Sequence, residues 1–124
     1  MRGIEAYACV FYNNVKGKND MKHTMRLNAR PFEMIKSGDK TIELRLYDEK
    51  RRTIAVGDEI EFTNPFGEKL FCKVLALHIF NSFEELYDNL PLLKCGYTQS
   101  DVGSASYTDM EEYYTPQQQK DYGV

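Results

Sequence analysis

The densest run of chemically capable side chains is RPFEMIKSGDKTIELRLYDEKRR, residues 30–52. Within it, Glu43 and Arg45 stand two apart on an alternating segment, so their side chains leave the same face of a strand. Tyr47 continues that face, and Lys40 sits at its mouth. A carboxylate, a guanidinium and a phenol ring side by side suit a small anionic or nucleoside ligand. Arginine offers a planar fork to a phosphate or a base edge, glutamate accepts from an exocyclic amine, and tyrosine stacks. Spacing alone leaves a plainer alternative open: an exposed strand face carrying an ion pair of small energetic value.

Those residues need elements to aim them. Pro31 suits the first helical position and Gly38 the left-handed residue that closes a helix, so residues 31–37 read as two helical turns. TIELRLY (41–47) alternates cleanly, with Ile42, Leu44 and Leu46 on one face and Thr41, Glu43, Arg45 and Tyr47 on the other. MKHTMRLN reads as a half-buried strand before the helix, and DEKRR as a charged loop or one helical turn. Gly57-Asp58 marks a turn before the strand EIEF, and Asn64-Pro65-Phe66-Gly67 a hairpin turn. The apolar stretch EKLFCKVLALHIF (68–80) reads as a long buried strand. Ser82 with Glu85 forms a capping box opening a helix over 83–90. Thr108 with Glu111, and Thr115 with Gln118, repeat the signal. Between them KCGYTQSDVGSAS reads as a flexible loop. His78 on the long strand reads as half-buried, and the pairs Tyr113-Tyr114 and Phe80/Phe83 as packing.

Composition narrows the function classes. With 124 residues, 42% of them hydrophobic, the chain makes one domain with a real core. No apolar run reaches the ~18 residues of a membrane span, and the N-terminus lacks the pattern of a signal peptide. Cys9, Cys72 and Cys95 are odd in number and widely spaced, and the only histidines are His23 and His78. Neither a zinc site nor a disulfide scaffold fits, so no metal and no cofactor is expected and the setting reads as cytoplasmic. No Gly-rich phosphate loop, Ser-His-Asp set or Cys-His dyad is visible. The net charge of −3 hides a segregation: residues 21–52 carry nine Lys/Arg against five Asp/Glu, residues 53–124 four against twelve. A polyanion feels a patch and not the sum, so a local cationic surface is compatible with an acidic whole.

Gly38-Asp39-Lys40-Thr41-Ile42-Glu43-Leu44-Arg45 resembles the Gly-x-Lys-x-x-Glu-x-Arg signature of the ASCH (activating signal cointegrator homology) family. The flanks agree in order: RPFEMIKSG before it, YDEKRR after it, then Val56-Gly57-Asp58, FNSFEELYDNLP and YTDMEEYYTPQQQKDYGV. The likeness covers roughly residues 21–124. It implies an α+β, mainly β fold: a PUA-like β-barrel with short flanking helices, related to RNA-binding modules. It also implies a cleft beside the signature holding single-stranded RNA or a nucleoside-like small molecule. On this reading Arg45 holds a base or phosphate, Lys40 a phosphate or carbonyl, and Arg51 and Arg52 the flanking backbone, with Glu43 and Tyr47 completing the set. A branch of the family hydrolyses 4-acetylcytidine with the signature lysine, a threonine nucleophile and a downstream glutamate. Lys40 matches that lysine, but the threonine position falls on Glu43. Thr41 lies two residues away, and Glu84 or Glu85 would be the acid. The alternatives are therefore a hydrolase acting on an acetylated nucleoside or RNA, with Lys40 and Glu43 as catalytic candidates, and a non-catalytic adaptor domain.

Two expectations concern the ends. Residues 1–20 read as an N-terminal extension outside the 21–124 domain, although EAYACVFY is β-rich enough to pair. Family members continue past Tyr-Gly-Val into another strand, so either the sequence is truncated or the barrel lacks its closing C-terminal strand. The vacant slot would be filled by EAYACVFY or by a second copy.

Overall fold

The alternating segments become strands and the capped ones helices in the computed structural model, which describes residues 21–118 and the backbone of residues 4–11. The strands are β1 (Ile4–Phe11), β2 (Lys22–Arg26), β3 (Ile42–Leu46), β4 (Glu59–Thr63) and β5 (Lys69–Phe80). Two helices, α1 (Ala29–Ser37) and α2 (Phe83–Asn89), and several short 3-10 turns complete the mixed α+β fold.

One sheet holds all five strands in the order β2-β4-β5-β1-β3. The β4–β5 hairpin is antiparallel, and its turn is locked by Asn64, whose Oδ1 accepts from Phe66 N at 3.0 Å and Glu68 N at 2.9 Å. β2 joins β4 in parallel, a pairing no local signal announces. β1 lies between β5 and β3, antiparallel to both, with a register shift at Ala8/Cys9. Part of the segment read from sequence as an extension is thus an internal strand of the sheet.

Among the described residues the sheet does not close into a continuous ladder, so the α+β part of the expectation is met and the barrel is not. Arg45 Nη2 on β3 donates to Arg26 O on the β2 edge at 2.8 Å, and Lys50 Nζ, in the turn after β3, donates to Thr24 O at 2.7 Å. Unpaired edge carbonyls are thereby satisfied by cations rather than by a strand. The expectation of a missing C-terminal strand falls on residues 119–124, outside the described residues.

Two apolar clusters fix the frame. Met25, Phe32, Ile35, Ile60, Phe62, Leu70 and Val74 pack α1 against β2, β4 and β5. Ile42, Leu44 and Leu46 on one face of β3 pack with Phe83 and Leu86 of α2, together with Cys95 and Met110. The opposite face of β3 is left for Glu43 and Arg45.

Local readings need four adjustments. α1 starts two residues before Pro31, whose missing N–H still falls among the unsatisfied first-turn donors. The β5 stretch is not buried on both faces: Leu70, Cys72 and Val74 point inward while Leu75 and Ile79 are exposed. Near the C-terminus Ser106 with Asp109, rather than Thr108 with Glu111, forms the capping box of the turn Tyr107–Glu112. The segment read as a flexible loop is pinned: Asp101 Oδ1 accepts from Thr98 N at 2.6 Å, and 3-10 turns run over Leu92–Lys94 and Val102–Ser104.

Candidate functional site

Glu43 is the anchor of the site. Gly38 closes α1 at φ 89°, and Lys40 N donates back to Met34 O at 3.0 Å, which sets the direction of Lys40 as β3 begins. Lys40 Nζ then meets Glu43 Oε1 at 2.8 Å. From the other side Arg45 brings Nε to 2.8 Å and Nη2 to 2.7 Å of Glu43 Oε2. Lys40 and Glu43 are buried, at 8% and 4% exposure, so this is no open surface pair. Gly96 lies over the lysine: a Cβ there would stand 3.5 Å from Lys40 Cδ and 3.6 Å from Nζ.

Burial opposes ionisation of Glu43, but the charges and hydrogen bonds of Lys40 and Arg45 outweigh it and hold the carboxyl down at about 2. The triad therefore carries two cations and one anion, a net +1 inside the protein. Apolar residues of similar volume commonly stabilise a fold at least as well as a buried ion pair.

The triad forms part of the wall of a cleft of about 1090 Å³. Lys40, Glu43, Arg45 and Arg51 all line it, as do Arg26 and Arg30. Arg51 ion-pairs with Asp48 through Nη1 at 2.7 Å, while its Nε is buried and without a hydrogen-bond partner. A buried donor left unmet is costly, and the residue that carries it lines the cleft with its other atoms. Lys50 reports the same excess of positive charge: partial burial and the nearby charges of Arg51 and Arg45 hold it below the usual lysine value.

The remaining candidates lie elsewhere. Tyr47 and Arg52 are not among the cleft-lining residues; the Arg52 guanidinium stacks over the Tyr47 ring at 4.2 Å. Thr41 and Glu84 do not line the cleft either, and Glu85 is engaged at the start of α2, accepting from Asn81 N at 3.2 Å. His78 is half-buried, and no cluster of potential metal ligands occurs among the described residues. No helix among them is long and apolar enough to cross a membrane.

Sequence reasoning missed the opposite wall. Tyr87 and Tyr97 share a hydrogen bond at 2.7 Å, and Tyr97 donates to Asp109 Oδ2 at 2.7 Å. Burial pushes the Tyr87 hydroxyl up to about 12 and raises that of Tyr97 as well, so both stay protonated at neutral pH. Tyr114 stacks on Phe83 at 6.1 Å between ring centroids and also faces the cleft. The tyrosines are frequent late in the chain, but nothing in their spacing tells which ones converge. Cys95 joins them at the cleft, and burial raises its thiol to about 11, which leaves it unreactive at neutral pH.

The cleft thus sets a wall with Lys40, Arg45 and Arg51 against a wall of tyrosines, with Glu43, Asp101, Asp109 and Glu112 also in its lining. The family model of the ASCH domain matches residues 25–123. The crystal structure of hypothetical protein PH0355 is similar to this one, with a TM-score of 0.69 and 35% sequence identity. The likeness covers 83% of this chain and 92% of that one. No curated protein matches the chain.

Proposed function

Because the chain belongs to the ASCH domain family, whose members are thought to bind RNA, we propose that it binds single-stranded RNA or a modified nucleoside in the cleft beside Gly38–Arg45. The observation that carries this reading is the buried Lys40–Glu43–Arg45 triad on a cleft wall shared with Arg51. Arg51 and Arg45 take a phosphate, Lys40 a phosphate or a base carbonyl, and the tyrosine wall accommodates the base. On this reading the β2 and β3 edges, bridged by Arg45, form the seam of a PUA-like barrel, and the absence of a disulfide at Cys72 and Cys95 suits the cytoplasm.

The hydrolase alternative is less well supported. A carboxylate held at about 2 by two cations is a weak base at neutral pH, so Glu43 is ill placed to activate water. The adaptor alternative fits an open, flat ion pair, whereas here the pair lies buried in a concavity.

Anisotropy titration of a labelled uridine RNA hexamer tests the proposal. Binding is expected at low salt, with log affinity falling against log salt at a slope of about −2 for three neutralised phosphates. Arg51→Ala is expected to weaken binding roughly tenfold, in line with one lost charge-assisted contact. No binding at low salt, or an affinity unchanged in Arg51→Ala, contradicts it.

A further inference from the structure

The tip of the β4–β5 hairpin holds an aromatic ring out into water. Phe66 is 79% exposed, while its neighbours Thr63, Asn64, Pro65 and Gly67 line the cleft. Leaving a phenyl ring in solvent forgoes the burial that drives folding. The ring is not exposed through looseness of the turn. Asn64 is itself buried, its side chain accepts from the backbone of Phe66 and Glu68, and its backbone pairs with Glu68 O at 3.0 Å and Gly67 N at 3.1 Å. Gly67 completes the turn at φ 83°, a conformation that favours glycine. Pro65 fixes its own φ immediately before Phe66. The hairpin is therefore built to present Phe66 at the rim of a cleft whose five Lys/Arg side chains outnumber its four Asp/Glu.

A rigid exposed ring beside a cationic groove is the combination by which proteins hold unpaired nucleic acid: the groove tracks the phosphates and the ring stacks on a base. We propose that Phe66 is a stacking platform for an unpaired base lying outside the cleft, and hence that the ligand is a single-stranded RNA chain longer than one nucleotide rather than a free nucleoside. This rests on the proposed function and deepens it, by naming the kind of ligand. Arg30, exposed at the cleft and loosely paired with Asp101 at 3.3 Å, is available to the phosphate that links the two bases.

The test compares a uridine RNA hexamer with uridine 5′-monophosphate on the wild-type chain, Phe66→Ala and Phe66→Tyr. Because the ring is exposed, Phe66→Ala is expected to keep the wild-type melting temperature. Its hexamer affinity is expected to drop about 5- to 150-fold, the loss of one base–aromatic stack. Affinity for the monophosphate stays unchanged, and Phe66→Tyr restores the hexamer. Undiminished hexamer binding by Phe66→Ala overturns the inference while leaving the proposed function standing. An equal loss for the monophosphate overturns it too, by making Phe66 part of the cleft itself. A wild-type chain that binds neither probe overturns the proposed function, and this inference with it.

Discussion

Glu43 shows how much of the site hangs on one side chain. Its carboxylate takes Lys40 on one oxygen and Arg45 on the other, and Arg45 in turn reaches across to the edge of β2. The strand period correctly places Glu43 and Arg45 on one face, but carries no information on burial. The same period puts Tyr47 on that face, yet the ring lies beyond the cleft with Arg52 against it, since a strand of five residues spans more than the site. The low value of Glu43 has a pH consequence. A carboxyl at about 2 when folded and 4.5 when unfolded stabilises the protein above pH 4.5 and loses that contribution as pH falls toward 2. Glu43→Gln leaves two cations uncompensated and is expected to cost about 3–5 kcal/mol at pH 7. Between pH 5 and pH 3 the wild type is expected to lose about 2 kcal/mol more stability than the variant, measured by urea unfolding. Parallel losses in the two proteins would show that Glu43 is not held in its charged form.

Among the elements, those encoded by neighbours in sequence were legible and those made by distant pairing were not. Gly38 closes α1, Asn64 and Gly67 turn the hairpin, and Ser82 caps α2 by accepting from Glu85 N at 3.1 Å. Each works within a few residues. The parallel β2–β4 pairing and the meeting of Tyr87, Tyr97 and Asp109 depend on the whole chain closing up, so no short window contains them. Adjacent signals also compete: Ser106 and Thr108 both precede an acidic residue by three, and the first of them makes the cap. β1 takes the pairing that the sequence left as one option for EAYACVFY. It supplies ladders to β5 on one side and β3 on the other, and it lies before the stretch matched by the family model. Deleting residues 1–20 would leave two strand edges unpaired and detach β3, which carries Glu43 and Arg45, from the sheet. The shortened chain is expected to lose its cooperative thermal transition by circular dichroism; an unchanged melting temperature would mean that the domain closes without β1.

Over the whole molecule, the segregated charge acquires a shape. The net charge is −3, yet the cleft collects cations from β2, α1, β3 and the turn at Arg51–Thr53. The acidic later half contributes Asp101 and Asp109, which hold Arg30 and Tyr97 in place. A duplex needs a broad basic face, whereas a flexible single strand can thread its phosphates along a narrow concavity. The proposed meeting place of RNA and this protein is the cleft wall of β3. An amide NMR titration with a uridine RNA hexamer at low salt tests it most directly. The largest shifts are predicted at Lys40, Glu43, Arg45 and Arg51, with smaller ones at Phe66 and Tyr97. Shifts confined to the outer face of β5 around Lys73 and Leu75, or no shifts at saturating RNA, would contradict the account.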